Sequence, residues 1–337
     1  MKRILWDAMA FCLCMGMTFT SCSDDNENAT TIVEVGNYNS SFVNQLMGFE
    51  EEKGALLAAC NTSEQEFIRL STDSAWALPT SDQQTLQAIR NGVSRPDGKT
   101  LLQKIIPLND ITTYMDNIYG GTIGGFVCEA ADVKSLHTMH DVFHGLRLDY
   151  EGTMFKADGA GYAVIRFYSS VTDRLAIPYS PELGGTQQHA WPNGGGGFTT
   201  STLGKGGYPE WTFDGYYSPE ENAELYEVTP GGFEILRSVY SGGKWRTYEP
   251  GTSKLTTRSA KEEGTTTLRN GRYAEGVVQT LGEYKGHTFH IRAVHDGKYW
   301  LSTNKHIDIE GLETLEKGVY GLGVDTNEVK NVREIVF

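Results

Sequence analysis

Cysteine is scarce in this 337-residue chain, at five residues. Cys12 and Cys14 fall in the first 21 residues and Cys22 closes that stretch, which leaves Cys60 and Cys128. Two cysteines cannot build the disulfide framework that staples small exported domains; in an exported chain two that remain most often pair. The alternative for Cys128 is a nucleophile, but its nearest downstream histidine is His137 and no cysteine-enzyme signature surrounds it. Positive charge is also short, with 29 Lys and Arg against 43 Asp and Glu and a net charge of −14. That balance excludes nucleic acid as the main partner, because phosphate binding needs clustered Lys and Arg. Long apolar runs are missing too. The run from Ala8 to Phe19 is shorter than the about 20 residues that a membrane-spanning helix requires.

The start of the chain reads as a lipoprotein signal peptide, with an ordinary secretory signal or a short membrane anchor as the other readings. Lys2 and Arg3 supply a positive segment, the run Ala8 to Phe19 follows, and Phe19-Thr20-Ser21-Cys22 ends it with small residues before a cysteine. This stretch resembles the signal peptide of bacterial lipoproteins, which implies removal of residues 1–21 and diacylglycerol attachment at Cys22. Removal takes away Lys2, Arg3 and Asp7, two positive charges and one negative, and moves the formal charge from −14 to −15. The expected location is the outer membrane, with Cys22 as the anchor. The segment Ser23-Asp24-Asp25-Asn26-Glu27-Asn28 resembles the acidic patch that sends some lipoproteins to the cell surface; a plain solvated tether is the other reading. Residues 22–40 are expected to form that tether.

Glycine is abundant at 39 residues, charged residues make up 21% and aromatics 11%, the mix of a folded, loop-rich, largely β protein. Helical apolar spacing through Phe42, Leu46, Met47, Leu56 and Leu57 predicts one or two short helices before Cys60. Glu66 to Leu70 reads as a strand, Asp82 to Gly92 as a helix, Gly124 to Cys128 as a strand, and Ala131 to Leu146 as a helix. Tyr162 to Phe167 is the clearest strand, and Ala223 to Val228 with Phe233 to Tyr240 form a hairpin around Pro230-Gly231-Gly232. Pro250 to Thr266 reads as a linker, and strands at Arg272 to Val278, His287 to His295, Lys298 to Ser302 and Val332 to Phe337 follow it. The predicted fold is α+β, a mainly antiparallel β core with flanking helices over residues 41–249. A linker over 250–266 leads to a small all-β module over 267–337 that resembles SH3-like domains.

Residues Lys99 to Tyr240 resemble ADP-ribosyltransferase-like domains of secreted bacterial toxins and effectors. The likeness is carried by Leu102 to Pro107, Gly124 to Val127, Gly145 to Tyr150, Val164 to Phe167 and the run from Gly197 to Glu210. It implies an enzyme that uses NAD as a substrate and modifies a protein target. Arg69 would grip the phosphates of NAD through paired hydrogen bonds, with Arg147 and Arg166 as competitors for that role. Thr200 and Ser201 would brace the site, and Glu210 would stabilise the oxocarbenium-like centre as nicotinamide leaves. Tyr208 and Trp211 flank Glu210, and His189 and Trp191 stand in the glycine-rich segment Gly184 to Gly207; such rings could stack on nicotinamide, adenine or a sugar, or anchor the loop. Glu227 is the second candidate for the catalytic carboxylate.

The sequence departs from that family's pattern in two places. Phe126-Val127-Cys128-Glu129 stands where a Ser-Thr-Ser strand would be, and no Glu-x-Glu or Gln-x-Glu pair ends at Glu210, which follows Tyr208-Pro209; Glu224 and Glu227, three apart in a strand, point to opposite faces. His137, His140 and His144 share one face of the predicted helix, but they span about 10 Å along its axis, so a pair of them, and not all three, could hold a metal. A reading of a different class is a non-enzymatic surface lipoprotein that binds a glycan or a host protein through its aromatic, glycine-rich loops.

Overall fold

The computed structural model describes residues 35–150, 152–184, 195–201, 203–204, 206–249, 254–256, 271–273, 276–295 and 297–336. The expected signal peptide, Cys22, most of the tether, His189, Trp191 and all of the expected linker except 254–256 lie outside these residues.

Four helices come first: α1 (Ser40–Val43), α2 (Phe49–Ala59), α3 (Glu64–Thr72) and α4 (Thr80–Gly92). A mixed stretch follows with β1 (Leu102–Ile106), α5 (Asp110–Met115), β2 (Ile123–Glu129), α6 (Met139–Gly145), β3 (Tyr162–Phe167), β4 (Leu175–Ala176), β5 (Trp211–Tyr217), β6 (Glu224–Val228), β7 (Glu234–Ser241), β8 (Lys244–Glu249) and β9 (Lys254–Thr256). These nine strands form one antiparallel sheet in the order β4-β5-β2-β1-β3-β6-β7-β8-β9.

Strand β3 shows why the sheet sits in the middle of the molecule. All six of its residues are buried, because side chains alternate between two apolar layers. Ala163, Ile165 and Phe167 enter a core shared with Phe49, Phe67, Leu86 and Ile89 of α2, α3 and α4. Tyr162 and Val164 enter a second core with Met139 and Val142 of α6. A strand covered on both faces reads as a continuous apolar run, and Tyr162 to Phe167 does so with one exception. That exception, Arg166, does not face solvent. It is 6% exposed, and its Nη2 donates to Glu234 Oε1 at 2.6 Å while Nε donates to Gln103 Oε1 at 2.8 Å.

The strand expected at Glu66 to Leu70 is a helix, α3. Ser63 caps it by accepting the Glu66 N–H at 3.1 Å, and Phe67 and Leu70, three apart on one face, reach the core. The helix expected over Ala131 to Leu146 is confined to α6. Thr138 and Asp141 form a reciprocal capping box that starts it at Met139. His137 therefore precedes the helix, His140 and His144 stack with ring centroids 4.5 Å apart, and no metal-competent group of three or more His, Cys, Asp or Glu side chains occurs among the described residues. The end of the expected tether is fixed onto the sheet. Glu224, 1% exposed, accepts the Gly36, Asn37 and Tyr38 N–H groups, and Arg166 Nη1 donates to the Tyr38 carbonyl at 2.7 Å.

The C-terminal residues form a second, all-antiparallel sheet of β10 (Gly271–Tyr273), β11 (Gly276–Tyr284), β12 (His287–His295), β13 (Lys298–Thr303), β14 (Glu313–Glu316), β15 (Val319–Asp325) and β16 (Lys330–Val336). The strand order is β10-β11-β12-β13-β15-β14, with β16 paired to β11. This sheet is joined to the first by buried polar contacts. Arg292, 1% exposed, lies between the Tyr119 and Tyr216 rings at 3.9 and 4.3 Å and donates to the Thr122 carbonyl at 3.0 Å. At Gly120, with φ of +63°, a Cβ would sit 2.7 Å from the Arg292 carbonyl oxygen, so this approach demands glycine. No helix among the described residues is long and apolar enough to cross a membrane.

Candidate functional site

The segment before Glu210 is pinned rather than loose. Phe198 bridges Pro209, the Thr199 N–H donates to the Tyr208 carbonyl at 3.0 Å, and Thr199 Oγ1 donates to the Gly145 carbonyl at 2.6 Å. Thr200 Oγ1 bonds Ser71 Oγ of α3 at 2.6 Å, and Tyr208 bonds Ser135 Oγ through its hydroxyl at 2.9 Å. Thr199, Thr200, Ser201 and Glu210 are all at most 5% exposed. Arg147 takes the left-handed conformation, with φ of +51°. Its guanidinium joins Asp149 Oδ1 at 2.9 Å to the Thr200 carbonyl at 3.0 Å.

Glu210 ends in a sealed ion pair. Lys317 Nζ lies 2.6 and 2.8 Å from its two carboxylate oxygens and 2.9 Å from the Leu146 carbonyl. Burial pushes the Glu210 carboxyl up, and the Lys317 ammonium pulls it back toward the charged form. The adjoining cavity, lined by Lys104, Phe126, Cys128, Leu146, Glu210 and Lys317, has a volume of about 30 Å³, room for about one water. Lys317 and Gly318 form the two-residue turn between β14 and β15. A Cβ on Gly318, at φ of +65°, would lie 2.3 Å from the Phe126 ring, so glycine lets the turn press into the first sheet.

Of the residues assigned to NAD, the structure brings Glu210, Thr200, Ser201, Tyr208 and Arg147 together and leaves Arg69, Glu227 and Arg166 elsewhere, Arg166 in its pair with Glu234. Arg69 is on the exposed surface of a helix, not on a strand, where it meets Glu66 at 2.6 Å, Asp82 at 2.5 Å and Asp73 at 3.8 Å. None of these partners contacts Glu210. Glu227 pairs with Arg237 at 3.6 Å on the partly exposed face of β6 and β7. Exposed ion pairs contribute little to stability, so we expect Arg69→Ala to leave the midpoint of a urea denaturation curve essentially where it is in the parent. The two cysteines are both free. Cys60 packs against the helical core and Cys128 lies in the other core, on the far side of the sheet, so they cannot meet. Burial pushes the Cys128 thiol well above its ordinary value, which removes the thiolate a nucleophile would need.

A larger polar recess lies elsewhere, at the start of α2. Gly48 brings the chain against the turn after β2, where a Cβ would sit 2.6 Å from the Ala131 carbonyl carbon. Asp132, 4% exposed, accepts the Phe49 N–H through Oδ1 at 2.6 Å. A pocket of about 270 Å³ opens there, lined by Glu51, Glu52, Glu129 and Asp132 with Phe49 and Val93 on its apolar walls. Met47, 80% exposed, stands at its rim. Lys134 at 2.5 Å and the Gly48 N–H at 2.8 Å engage Glu51 and hold its carboxyl below the usual range, and Ser94 Oγ donates to Glu52 at 2.8 Å. The Glu129 carboxyl makes no hydrogen bond or ion pair to a described residue, although its backbone carbonyl accepts the Asp132 N–H at 3.1 Å. Burial, followed by the charge of Asp132, pushes its carboxyl up to about 8, and burial raises Asp132 to about 7. Two raised acids in a recess make it a candidate binding site. The residues alone do not single out this pair, because Glu129 and Asp132 sit in a stretch that reads as strand and helix; Glu50-Glu51-Glu52 at the start of a helix is the one signal they offer. Compared with known proteins, the chain matches no family model, no curated protein and no solved structure.

Proposed function

We propose that this chain is a non-enzymatic lipoprotein, held at the outer membrane through Cys22, that binds a basic side chain of a host protein in the pocket at the start of α2. The observation that carries this reading is the Glu129 and Asp132 pair, two carboxyls raised to about 8 and about 7 in a 270 Å³ recess. An ammonium or guanidinium group entering there offsets the repulsion between them and restores their charged forms. Phe49, Val93 and Met47 offer apolar contact to the methylene stem of a lysine or arginine. Transfer of ADP-ribose from NAD finds less support, because Arg69 is separate from Glu210 and the Glu210 carboxylate is taken up by Lys317.

The test uses an acetylated, amidated tetrapeptide with one central lysine, titrated into the protein and followed by NMR. Saturable shifts at Glu129 and Val93 are expected. Glu129→Gln should weaken binding by about tenfold or more, the loss of one charge-assisted hydrogen bond worth about 1.5–3 kcal/mol. A norleucine peptide that binds as well as the lysine peptide would contradict the reading.

A further inference from the structure

A second pocket opens on the other side of Lys134, between α1, β1, β3 and β7. Its volume is about 90 Å³, and Ser40, Asn44, Gln103, Tyr162, Arg166 and Glu234 are among the residues that line it. Every charge in its wall is already matched. Arg166 is paired with Glu234 at 2.6 Å, and Lys134 with Glu51 at 2.5 Å. What remains unused is neutral hydrogen-bonding capacity. Tyr162 is 5% exposed, yet its hydroxyl makes no hydrogen bond to a described residue. Burial raises that phenol to about 12, so it stays a donor across the physiological range. Gln103 spends its carbonyl oxygen on Arg166 Nε at 2.8 Å, which leaves its amide nitrogen to donate. The side chains of Ser40 and Asn44 likewise make no hydrogen bond to the described residues, although the Ser40 backbone N–H is held by Glu234 at 2.8 Å.

A hydroxyl with no protein partner in a largely buried wall is left to water, and a ligand that bonds it together with its neighbours can take the place of that water. A charged ligand gains little here, since it would have to compete with the Arg166–Glu234 pair, whose side chains are 7% and 11% exposed. The volume equals about three waters, enough for two adjacent hydroxyls and the carbons that bear them, and too little for a whole pyranose ring. We infer that this pocket binds the vicinal hydroxyl edge of a neutral sugar, with Tyr162 and Gln103 at its floor and Ser40 and Asn44 at its mouth. The rigid Arg166–Glu234 pair fixes the floor before the ligand arrives, which reduces the ordering cost of binding.

The site is independent of the acidic pocket, and the experiment separates the two. Methyl α-glycosides of glucose, galactose and mannose are titrated separately into the protein, with tetrahydropyran as a probe lacking hydroxyls, and the Gln103 side-chain amide and Tyr162 ring resonances are followed by NMR. At least one glycoside should shift both resonances saturably, and tetrahydropyran should not. Tyr162→Phe removes only an oxygen and should weaken that glycoside by about 3- to 10-fold, the worth of one neutral hydrogen bond. Binding of the lysine tetrapeptide should be unchanged in the same variant. Asn44→Ala, at an exposed position, supplies a second weakened variant should the tyrosine change disturb the core. The inference is overturned if no glycoside shifts these resonances, if both variants bind the glycoside as well as the parent, or if glucuronic acid binds more tightly than methyl glucoside.

Discussion

Lys317→Ala is expected to lower the unfolding free energy by about 3–5 kcal/mol, because it strands the Glu210 carboxylate in a buried site with its main partner removed. Glu210 and Lys317 are 7% and 6% exposed at their side chains, and the single water that the adjoining cavity has room for carries no charge to replace the ammonium. The loss should fall on the seam between the two sheets, since the pair joins the entry to β5 with the turn between β14 and β15. Replacing both partners, as Glu210→Gln with Lys317→Met, should recover most of the stability, because neutral groups of similar size remove the stranded charge. Urea unfolding of the parent and the two variants checks both statements. A Lys317→Ala loss below about 1 kcal/mol would contradict this, because it would show that the Glu210–Lys317 pair does not hold the seam.

Stability should fall as pH rises from about 5 to about 8.5, and the Glu129 and Asp132 pair should account for most of the slope. Their carboxyls titrate at about 8 and about 7 in the folded chain, against 4.5 and 3.8 for the unperturbed groups. Between those limits the folded chain keeps protons that the unfolded chain has released, so raising the pH favours unfolding. The contribution is fully present below about pH 4 and is lost as pH passes the folded values. Each tenfold tightening of proton binding in the folded chain is worth about 1.4 kcal/mol. Partial solvent access to Glu129 and the repulsion shared between the two acids reduce the combined effect to about 2–3 kcal/mol. Glu129→Gln should flatten the profile and raise the melting temperature at pH 8, while leaving it nearly unchanged at pH 4.5. Melting curves across this range measure it, and a profile equally steep in Glu129→Gln would reject the assignment.

Much of the β framework was legible in the residues. Tyr162 to Phe167 announced itself because a central strand, covered on both faces, carries an almost unbroken apolar run. The hairpin of β6 and β7 followed from Pro230-Gly231-Gly232 between two apolar stretches. The mixed α+β class with mainly antiparallel pairing follows from such elements. Arg69 is expected on a strand because Glu66 to Leu70 favours one when taken alone; the helix is set by its cap, Ser63, which lies outside that window. Arg166 and Lys317 were hidden for a different reason. Both are charged residues that sequence patterning assigns to solvent, and each is buried only because a carboxylate distant in sequence, Glu234 or Glu210, meets it. Pairing across 68 or 107 residues leaves no local signature. The same holds for the acidic pocket, which exists only once Gly48 and Phe49 are brought against Ala131 and Asp132.

Calorimetric titration of the lysine tetrapeptide at pH 7.5, in buffers of different ionisation enthalpy, tests the central claim most directly. Glu129 and Asp132 are raised to about 8 and about 7, so at this pH the pocket retains part of its protons, and a bound ammonium should expel them. The account predicts a net proton release on binding that falls sharply in Glu129→Gln, where only Asp132 has a proton to give. Binding with no proton release, or release undiminished in Glu129→Gln, would contradict it.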